Sequence, residues 1–108
     1  MAIEFEWDLR KAERNLKEHG VSFDEATTVL RDTLSITIAD PDHSDSEDRF
    51  VDIGMSHREQ LLVVSYTERK DRIRIISARP PTRAERKSYE ETNWKETVRS
   101  QRHNAPRV

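Results

Sequence analysis

The sequence predicts an α+β domain in which an antiparallel sheet of four or five strands packs with two N-terminal helices and a C-terminal helix. Two observations carry this prediction. Short segments in which apolar and polar residues alternate recur along the chain, and this pattern is typical of half-buried strands. Capping residues precede three predicted helices. The predicted order of elements is β-α-α-β-β-β-β-α.

The N-terminal part of the chain predicts one strand and two helices. Apolar residues alternate with glutamates over residues 3–7, as in a half-buried strand. Asp8 is predicted to cap the first helix, and Gly20 to end it in a left-handed conformation. Ser22 and Glu25 have the spacing of a capping box and predict a second short helix. The apolar face expected for the first helix is formed by Leu9, Ala12 and Leu16.

Four more strands are predicted at residues 34–38, 50–55, 61–67 and 72–78, the last two forming a hairpin closed by residues 68–71. The acidic loop at residues 40–48 looks like a calcium loop. However, Asp45 replaces the required glycine and Val51 the terminal glutamate. This loop is therefore predicted to be an exposed connection, without a metal.

The last predicted strand leads into the C-terminal helix. Alternation directs residues 73 and 75, and with them residue 77, toward the helices, whereas Arg72, Arg74 and Ile76 face the other side. Arg79 falls at the end of the strand, where a loop can redirect it. Two prolines then stop the strand, and the capping box of Thr82 and Glu85 predicts a helix that ends at about Trp94 or Val98.

Composition narrows the class of protein. The chain has 108 residues, 33% hydrophobic and 37% charged, which predicts one domain over residues 1–98 and a fraying polar tail over residues 99–108. The absence of cysteine excludes disulfides and thiolate chemistry. Neither a signal peptide nor an apolar run of roughly 20 residues is present, so a cytoplasmic protein without a membrane partner is predicted. Because no large unexplained apolar face remains, the free protein is predicted to be a monomer.

Charge is divided between the two halves of the chain. Residues 1–60 hold 7 Lys and Arg against 15 Asp and Glu, a net charge of −8, whereas residues 61–108 hold 12 against 6, a net charge of +6. This asymmetry indicates an anionic partner for the basic half. The alternative is that surface charges segregate by accident.

The basic half supplies candidate phosphate ligands. Guanidinium groups offer planar forks of donors that suit phosphate, and several would converge where the last strand meets the last helix. The alternative is a solvated strand face and helix surface. The arginines concerned are Arg72, Arg74, Arg79, Arg83 and Arg86.

Three further side chains are candidates for proton transfer or binding. His19 and Lys11 lie eight residues apart, about two helical turns, so one helix face can carry both. His19 can act as a general acid or base, or it can simply cap carbonyl groups. Tyr66, beside the hairpin turn, can stack a base or donate a proton, or it can be an ordinary cross-strand aromatic. The aromatic rings of Trp7 and Phe23 are predicted to belong to the core.

Three segments of the chain resemble the BrnT family of bacterial type II toxins, over about residues 3–90. They are FEWDLRKAERNLKEHGVSFDEA, PDHSDSEDRFVDIGMS and VVSYTERKDRIRIISARPPTRAERKSYE. The most specific positions are Trp7, Asp8, Lys11, Asn15, His19, Gly20, Phe23, the block Ile76–Arg79, Arg83, Glu85 and Arg86.

This resemblance implies a RelE-like fold and a ribonuclease that arrests growth. It also implies neutralisation by a BrnA antitoxin, a ribbon-helix-helix protein, whose complex with the toxin represses the operon and so reaches operator DNA. RelE-like toxins use neither metal nor cofactor: the ribose 2′-OH attacks the adjacent phosphate while basic side chains stabilise the transition state.

For this mechanism we hypothesise roles for individual residues. Arg79 and Arg74 are expected on the scissile phosphate, and His19 or Tyr66 is expected to transfer the proton. The other expected RNA contacts are Arg69, Arg72, Arg83 and Arg86, with Lys11 as an auxiliary cation.

Two other functions fit the same residues. A binding module without turnover would use the arginines equally well, because phosphate contacts position a nucleic acid without cleaving it. A degenerate toxin would serve only as the partner of its antitoxin. The acidic half could attract a basic antitoxin surface or keep RNA off other faces, while the antitoxin could instead cover the basic site.

Overall fold

A computed structural model describes the backbone of residues 3–39 and 49–104 and the side chains of residues 3–38 and 49–93. The elements within these residues follow the predicted order, which confirms the α+β class. They are β1 (Glu4–Glu6), α1 (Leu9–His19), α2 (Phe23–Val29), β2 (Ile36–Ala39), β3 (Arg49–Met55), β4 (Leu61–Arg69), β5 (Arg72–Arg79) and α3 (Arg83–Asn104). The predicted loop at residues 40–48 and the last residues of the predicted tail, 105–108, lie outside the described residues.

The strands form one sheet in the order β1-β5-β4-β3-β2. Neighbours among β2 to β5 are antiparallel, as predicted, but β1 pairs with β5 in parallel. The expectation of a wholly antiparallel sheet is therefore wrong at this edge. Parallel neighbours need a long crossover, and here almost the whole domain lies between the two strands. The β4–β5 hairpin turns at Lys70, whose φ is +52°.

The caps of the first two helices are as predicted. The Asp8 carboxylate accepts from the backbone N–H groups of Arg10 and Lys11, and Gly20 ends α1 with φ at +71°. The Ser22 hydroxyl accepts from the Glu25 N–H, 3.0 Å away. The Glu25 carboxylate, however, accepts from the buried Ser56 hydroxyl at 2.7 Å, so it ties α2 to the end of β3.

The buried face of α1 differs in part from the prediction. Of the predicted apolar face, Ala12 packs against the core as expected, but Leu9 and Leu16 are 73% and 52% exposed. Asn15 is the buried residue of this helix. Hydrophobic spacing alone predicts only part of this face, because a polar side chain with fixed hydrogen-bond partners replaces leucine at the contact with the sheet.

Helix α3 is longer than predicted, since it continues to Asn104 instead of ending at Trp94 or Val98. Its start is as predicted: Glu85 accepts from the Thr82 N–H, and its own N–H donates to the Thr82 hydroxyl. Tyr89 anchors the helix by packing against the sheet and donating to the Asp32 carboxylate at 2.9 Å. Among the described helices, none is long and apolar enough to cross a membrane.

The sheet separates two apolar clusters. On one side, here called the helix face, the sheet packs against α1 and α2, with Trp7 and Phe23 in edge-to-face contact as predicted for the core. On the other side, here called the arginine face, Tyr89 of α3 packs with a smaller cluster that includes Ile53 and Val63. Both faces of the central strand β4 are consequently buried over most of its length.

Candidate active site

A β-bulge in β5 decides which way Arg79 points. Thr67 pairs with Arg74, but beyond the register shift at Ser65 and Tyr66 it is Val63 that pairs with Arg79, so β5 carries one extra residue. In a regular strand, residues 74 and 79 would lie on opposite faces; with the extra residue they share the arginine face. A bulge inside the strand, and not the loop after it, redirects Arg79.

The bulge also changes the faces predicted for the end of β5. Ile73 and Ile75 pack with the helix-face cluster, as predicted. Ser77 was expected beside them, but its register partner is Ser65, and Ala78 takes the place in the core. Arg72 and Arg74 lie on the opposite face, as predicted.

Arg79 is held in one orientation by Glu85. Its Nη1 and Nη2 donate to the two carboxylate oxygens at 2.8 and 2.9 Å, and Nη1 also donates to the Pro80 carbonyl at 3.2 Å. These three hydrogen bonds leave two of the five guanidinium N–H donors for a ligand. The side chain of Arg79 is 39% exposed. Hydrogen bonding from Arg79 lowers the pKa of Glu85 to about 2.

Arg72 and Arg74 are paired with the acidic strand β1. Arg74 Nη1 lies 3.1 Å from the Glu6 carboxylate, and Arg72 contacts Glu6 at 3.4 Å and Glu4 at 3.3 Å. The Arg74 guanidinium holds the pKa of Glu6 below its usual range. These pairs follow from the parallel register, which sets Glu4 opposite Arg72 and Glu6 opposite Arg74.

Arg74 and Arg79 lie well apart along β5. Five residue steps separate them along β5, which corresponds to about 15 Å at the rise of a strand. Small polar residues, Ser65 and Ser77, face each other between them. Along β5, the arginine face therefore presents an elongated polar strip with a guanidinium group toward each end, and this shape fits a nucleic-acid backbone that runs along the strand.

Three further arginines border this strip. Arg69 pairs with Arg72 across the hairpin, next to the turn. Arg83 and Arg86 are exposed in the first turns of α3, and Arg86 lies 4.0 Å from Glu90. The positive charge expected at the junction of β5 and α3 is thus present, although carboxylates neutralise part of it.

Tyr66 does not lie with these arginines. Its ring belongs to the helix-face cluster, it is only 8% exposed, and its hydroxyl donates to Asp52 at 3.0 Å. Burial raises the pKa of this hydroxyl, and the charge of Asp52 raises it further. The prediction that Tyr66 and the arginines share one site is therefore wrong, because strand alternation directs its side chain through the opposite face.

Asn15 brings α1 to the free edge of β5, next to Arg79. Its amide nitrogen donates to the carbonyls of Val21 and Ala78 at 2.9 and 2.8 Å, and its oxygen accepts from the Ala78 N–H at 3.1 Å. Asn15 thus takes the place of a neighbouring strand beyond the end of β1. Lys11 and His19 lie one helical turn to either side of Asn15, so α1 places both along this edge.

Sequence patterns missed three residues that organise the site. Glu85 was noted as part of a cap and as a position of the family resemblance, without a role in the site, and Glu6 only as a polar residue in an alternating strand. Their pairing with arginine depends on the bulge and on the parallel register, which no local pattern reveals. The T-x-x-E spacing and the alternating glutamates were nevertheless available signals. Asn15 was also a position of the family resemblance, but the helical pattern itself does not distinguish a buried bridge from a solvated side chain.

A family model described as the ribonuclease toxin BrnT of type II toxin–antitoxin systems matches residues 7–85. The chain belongs to the BrnT family. The structure is also similar to that of the ribonuclease toxin BrnT from Brucella abortus, with a TM-score of 0.59 and 18% identity, over 76% of this chain and 100% of that chain. A comparison with curated proteins gives no match.

Membership in the BrnT family confirms the resemblance found in the sequence. The protein is accordingly a ribonuclease toxin of a type II toxin–antitoxin system, with RNA as substrate and an antitoxin as partner. The likeness to the Brucella toxin supports the fold. Within the described part of this BrnT-family chain, no group of three or more His, Asp or Glu side chains converges as a metal site would require.

Proposed function

We propose that RNA is cleaved on the arginine face, at the junction of β5 and α3, with Arg79 on the scissile phosphate. One observation carries this proposal. The bulge places the Arg79 side chain on the arginine face, and Glu85 orients its guanidinium group while two N–H donors remain for a ligand. A donor fixed before the substrate arrives stabilises a developing charge without having to reorganise during the reaction.

In the proposed reaction the ribose 2′-oxygen forms a bond to the adjacent phosphorus, and the bond from phosphorus to the 5′-oxygen breaks. The products are a 2′,3′-cyclic phosphate and a 5′-hydroxyl. A base takes the proton of the 2′-OH, and an acid returns a proton to the leaving 5′-oxygen. The remaining donors of Arg79 would contact the phosphate oxygens, on which charge accumulates in the transition state.

Arg74 is assigned to a more distant phosphate of the same RNA strand, because about 15 Å of strand separates it from Arg79. Together with Arg69 and Arg72 it would hold the RNA backbone at the hairpin end of the strip. Arg83 and Arg86 would guide the strand along the first turns of α3. These contacts set the register of the substrate on the enzyme, while Arg79 acts on the reacting group.

His19 is the proposed proton-transfer residue. Imidazole exchanges protons readily near neutral pH. The carboxylates of Glu85 and Glu6 are poorer bases than imidazole, because Arg79 lowers the pKa of Glu85 and Arg74 lowers the pKa of Glu6. Asn15 joins α1 to the edge of β5 at Ala78, and His19 follows Asn15 by one helical turn, which supports a position near the site. Lys11, one turn before Asn15, would add a positive charge beside the RNA.

The proposed biological setting is the one that the family resemblance implies. The partner would be a BrnA-type ribbon-helix-helix antitoxin, and the complex would bind operator DNA through the antitoxin and repress its own operon. Cleavage would need no metal or cofactor, since the guanidinium groups on the arginine face would stabilise the negative charge on the phosphate. The protein would act in the cytoplasm, where its RNA substrates are.

The test compares Arg79→Ala with Arg31→Ala, which removes an exposed arginine that follows the C-terminal end of α2. With a defined RNA and purified protein, Arg79→Ala should lower the cleavage rate by at least about 100-fold, the loss typical of one preorganised donor. Arg79→Lys should restore only part of the rate, because an ammonium group lacks the planar fork. Arg31→Ala should cleave like the wild type.

Three further readouts make this test decisive. Melting curves should show that each variant is folded, and wild-type cleavage should persist in excess chelator and leave cyclic phosphate ends. If folded Arg79→Ala cleaves at the wild-type rate, the cleavage site lies elsewhere and Arg79 only ties β5 to α3 through Glu85. Loss of cleavage in chelator would instead refute the metal-independent mechanism.

A further inference from the structure

The first helix turns two leucines toward solvent. Leu9 and Leu16 are 73% and 52% exposed, and they lie seven residues apart in α1. Seven residues make nearly two full turns, so both side chains lie on one stripe of the helix. This stripe is distinct from the one through Asn15 that contacts β5. The prediction that the chain exposes no unexplained apolar face is therefore wrong at α1.

The two leucines form one wall of a groove between α1 and α2, here called the α1–α2 groove. Its volume is about 220 Å³. That is below the roughly 300 Å³ at which small-molecule sites begin, so the groove suits a few anchoring side chains better than a cofactor. It is lined by Trp7, Leu9, Ala12, Glu13, Leu16, Ser22, Phe23 and Asp24.

We propose that the α1–α2 groove is the docking surface for the antitoxin, and that it receives an amphipathic helix whose apolar side chains are flanked by Lys or Arg. This inference rests on membership in a toxin–antitoxin family, which requires a protein partner. It does not depend on the assignment of the cleavage site to the arginine face.

The spacing of the exposed leucines favours a helix as the occupant. Helix-in-groove recognition uses apolar anchors one and two turns apart, which matches the two-turn separation of Leu9 and Leu16. A helix laid against α1 would set its anchors over Ala12 and into the space beside Phe23, which is itself buried. Apolar packing of this kind supplies affinity at the centre of an interface.

The charge of the rim favours a basic partner. Glu13 and Asp24 are the charged members of the lining, and neither Lys nor Arg is among the eight residues. A second copy of the chain fits less well, because a two-fold contact through this groove would bring the carboxylates of one copy toward those of the other. Positively charged residues beside the apolar anchors would complement Glu13 and Asp24 and speed association.

The groove and the arginine face lie on different sides of the sheet. Helices α1 and α2 pack on the helix face, whereas Arg74 and Arg79 point away from it. A variant of the groove should therefore weaken antitoxin binding while leaving RNA cleavage intact. A variant of Arg79 should do the reverse, so failure of one proposal can be told from failure of the other.

The experiment compares Leu16→Glu with Leu34→Glu. Both leucines are 52% exposed, but Leu34 does not line the groove. The probe is the purified protein encoded by the neighbouring gene, titrated against each toxin variant. Leu16→Glu should bind at least about 30-fold more weakly than the wild type, the loss expected at the centre of an interface. Leu34→Glu should bind within about threefold, as surface positions outside an interface do.

Other results would overturn the proposal. They include equal binding by Leu16→Glu and the wild type, an equal loss in Leu34→Glu, and no binding of the neighbouring protein by the wild type. A free toxin that sediments as a dimer, and as a monomer after Leu16→Glu, would assign the groove to a second copy instead.

A second measurement covers the case in which Leu16→Glu does not fold. A photo-crosslinking residue placed at position 16 should capture a helical segment of the antitoxin, and one placed at position 34 should not. Glu13→Gln should in addition slow association and reduce its dependence on salt. Capture at position 34 alone, or at neither position, would show that the antitoxin docks elsewhere.

Discussion

The two faces of the sheet treat polar groups in opposite ways. On the helix face, Asn15 and Asp52 are buried, and the structure gives each of them fixed hydrogen-bond partners. On the arginine face, guanidinium groups pair with carboxylates that water also reaches. A buried bond cannot be exchanged without leaving a polar group unsatisfied, whereas an exposed pair can exchange its anion for another. The buried polar contacts of the helix face therefore hold the fold together, whereas the arginine pairs of the other face can exchange a carboxylate for a substrate.

Within the arginine face, the pairs differ in strength. Arg79 meets Glu85 through two hydrogen bonds of 2.8 and 2.9 Å, while Arg72 reaches Glu4 and Glu6 at 3.3 and 3.4 Å. Two parallel bonds fix a guanidinium plane, but single longer contacts do not. We infer that Arg79 is oriented in advance and that Arg72 and Arg74 are held loosely by an acidic strand.

The largest expected effect comes from removing the bridge on the helix face. Asn15→Leu would leave the Ala78 N–H and C=O and the Val21 carbonyl without their buried partner. The free energy of unfolding should fall by roughly 3–5 kcal/mol, because each unsatisfied buried group costs about 1–3 kcal/mol. Urea denaturation measures this loss. Arg14→Ala, at an exposed neighbour on α1, is the control and should change stability little; an equally stable Asn15→Leu would contradict the role given to the bridge.

Tyr66→Phe sharpens the contrast between structure and catalysis. The change removes the hydrogen bond to Asp52 and should lower stability by about 1–2 kcal/mol. The cleavage rate of the folded variant should stay within about twofold of the wild type, whereas loss of a general acid or base lowers rates by about 100-fold or more. RNA cleavage measured well below the melting temperature separates these outcomes. A 100-fold slower variant would return Tyr66 to the catalytic set.

Acid should weaken the firmest pair on the arginine face. The pKa of Glu85 is about 2 in the folded chain, against an ordinary value of 4.5, so the folded state favours the ionised carboxyl. Its contribution to stability is present above pH 4.5 and is lost as the pH falls toward 2. Allowing for solvent screening, it should amount to about 1 kcal/mol. The difference in stability between the wild type and Glu85→Gln should therefore shrink over this range, and a constant difference would argue against the ion pair.

Local sequence signals predicted the elements well because caps and alternation act over a few residues. Asp8, Ser22 and Thr82 marked the starts of helices, and the order of strands followed from apolar segments. The parallel pairing of β1 with β5 was not predicted, since it depends on a contact between residues far apart in the sequence. The buried side of α1 was predicted only in part, because Ala12 packs against the core whereas Leu9 and Leu16 are exposed and Asn15 faces the sheet.

The candidate site was predictable in composition but not in geometry. Charge and motif identified Arg74 and Arg79, yet their common face depends on the single extra residue in β5, which alternation does not reveal. Tyr66 was assigned to the same site because it is close in sequence to the hairpin turn. Thr67 pairs with Arg74 and shares its face, so Tyr66, the residue before Thr67, points to the other face of the sheet. Alternation along β4 would therefore have separated Tyr66 from Arg74.

The smallest expected effect concerns the ion pair between Glu6 and Arg74, near the β4–β5 hairpin turn. Glu6→Gln removes the carboxylate that competes with RNA for Arg74, whose guanidinium lies 3.1 Å from it. Binding of a non-cleavable single-stranded RNA should tighten by about two- to fivefold, the range typical of one exposed charge pair. The slope of log affinity against log salt should also steepen by up to about 0.7, since one more phosphate would be neutralised. Glu13→Gln, which removes a carboxylate on the helix side, controls for the change in net charge. If both variants bind RNA equally tightly, net charge explains the gain, and Glu6 has no specific role in limiting the access of RNA to Arg74.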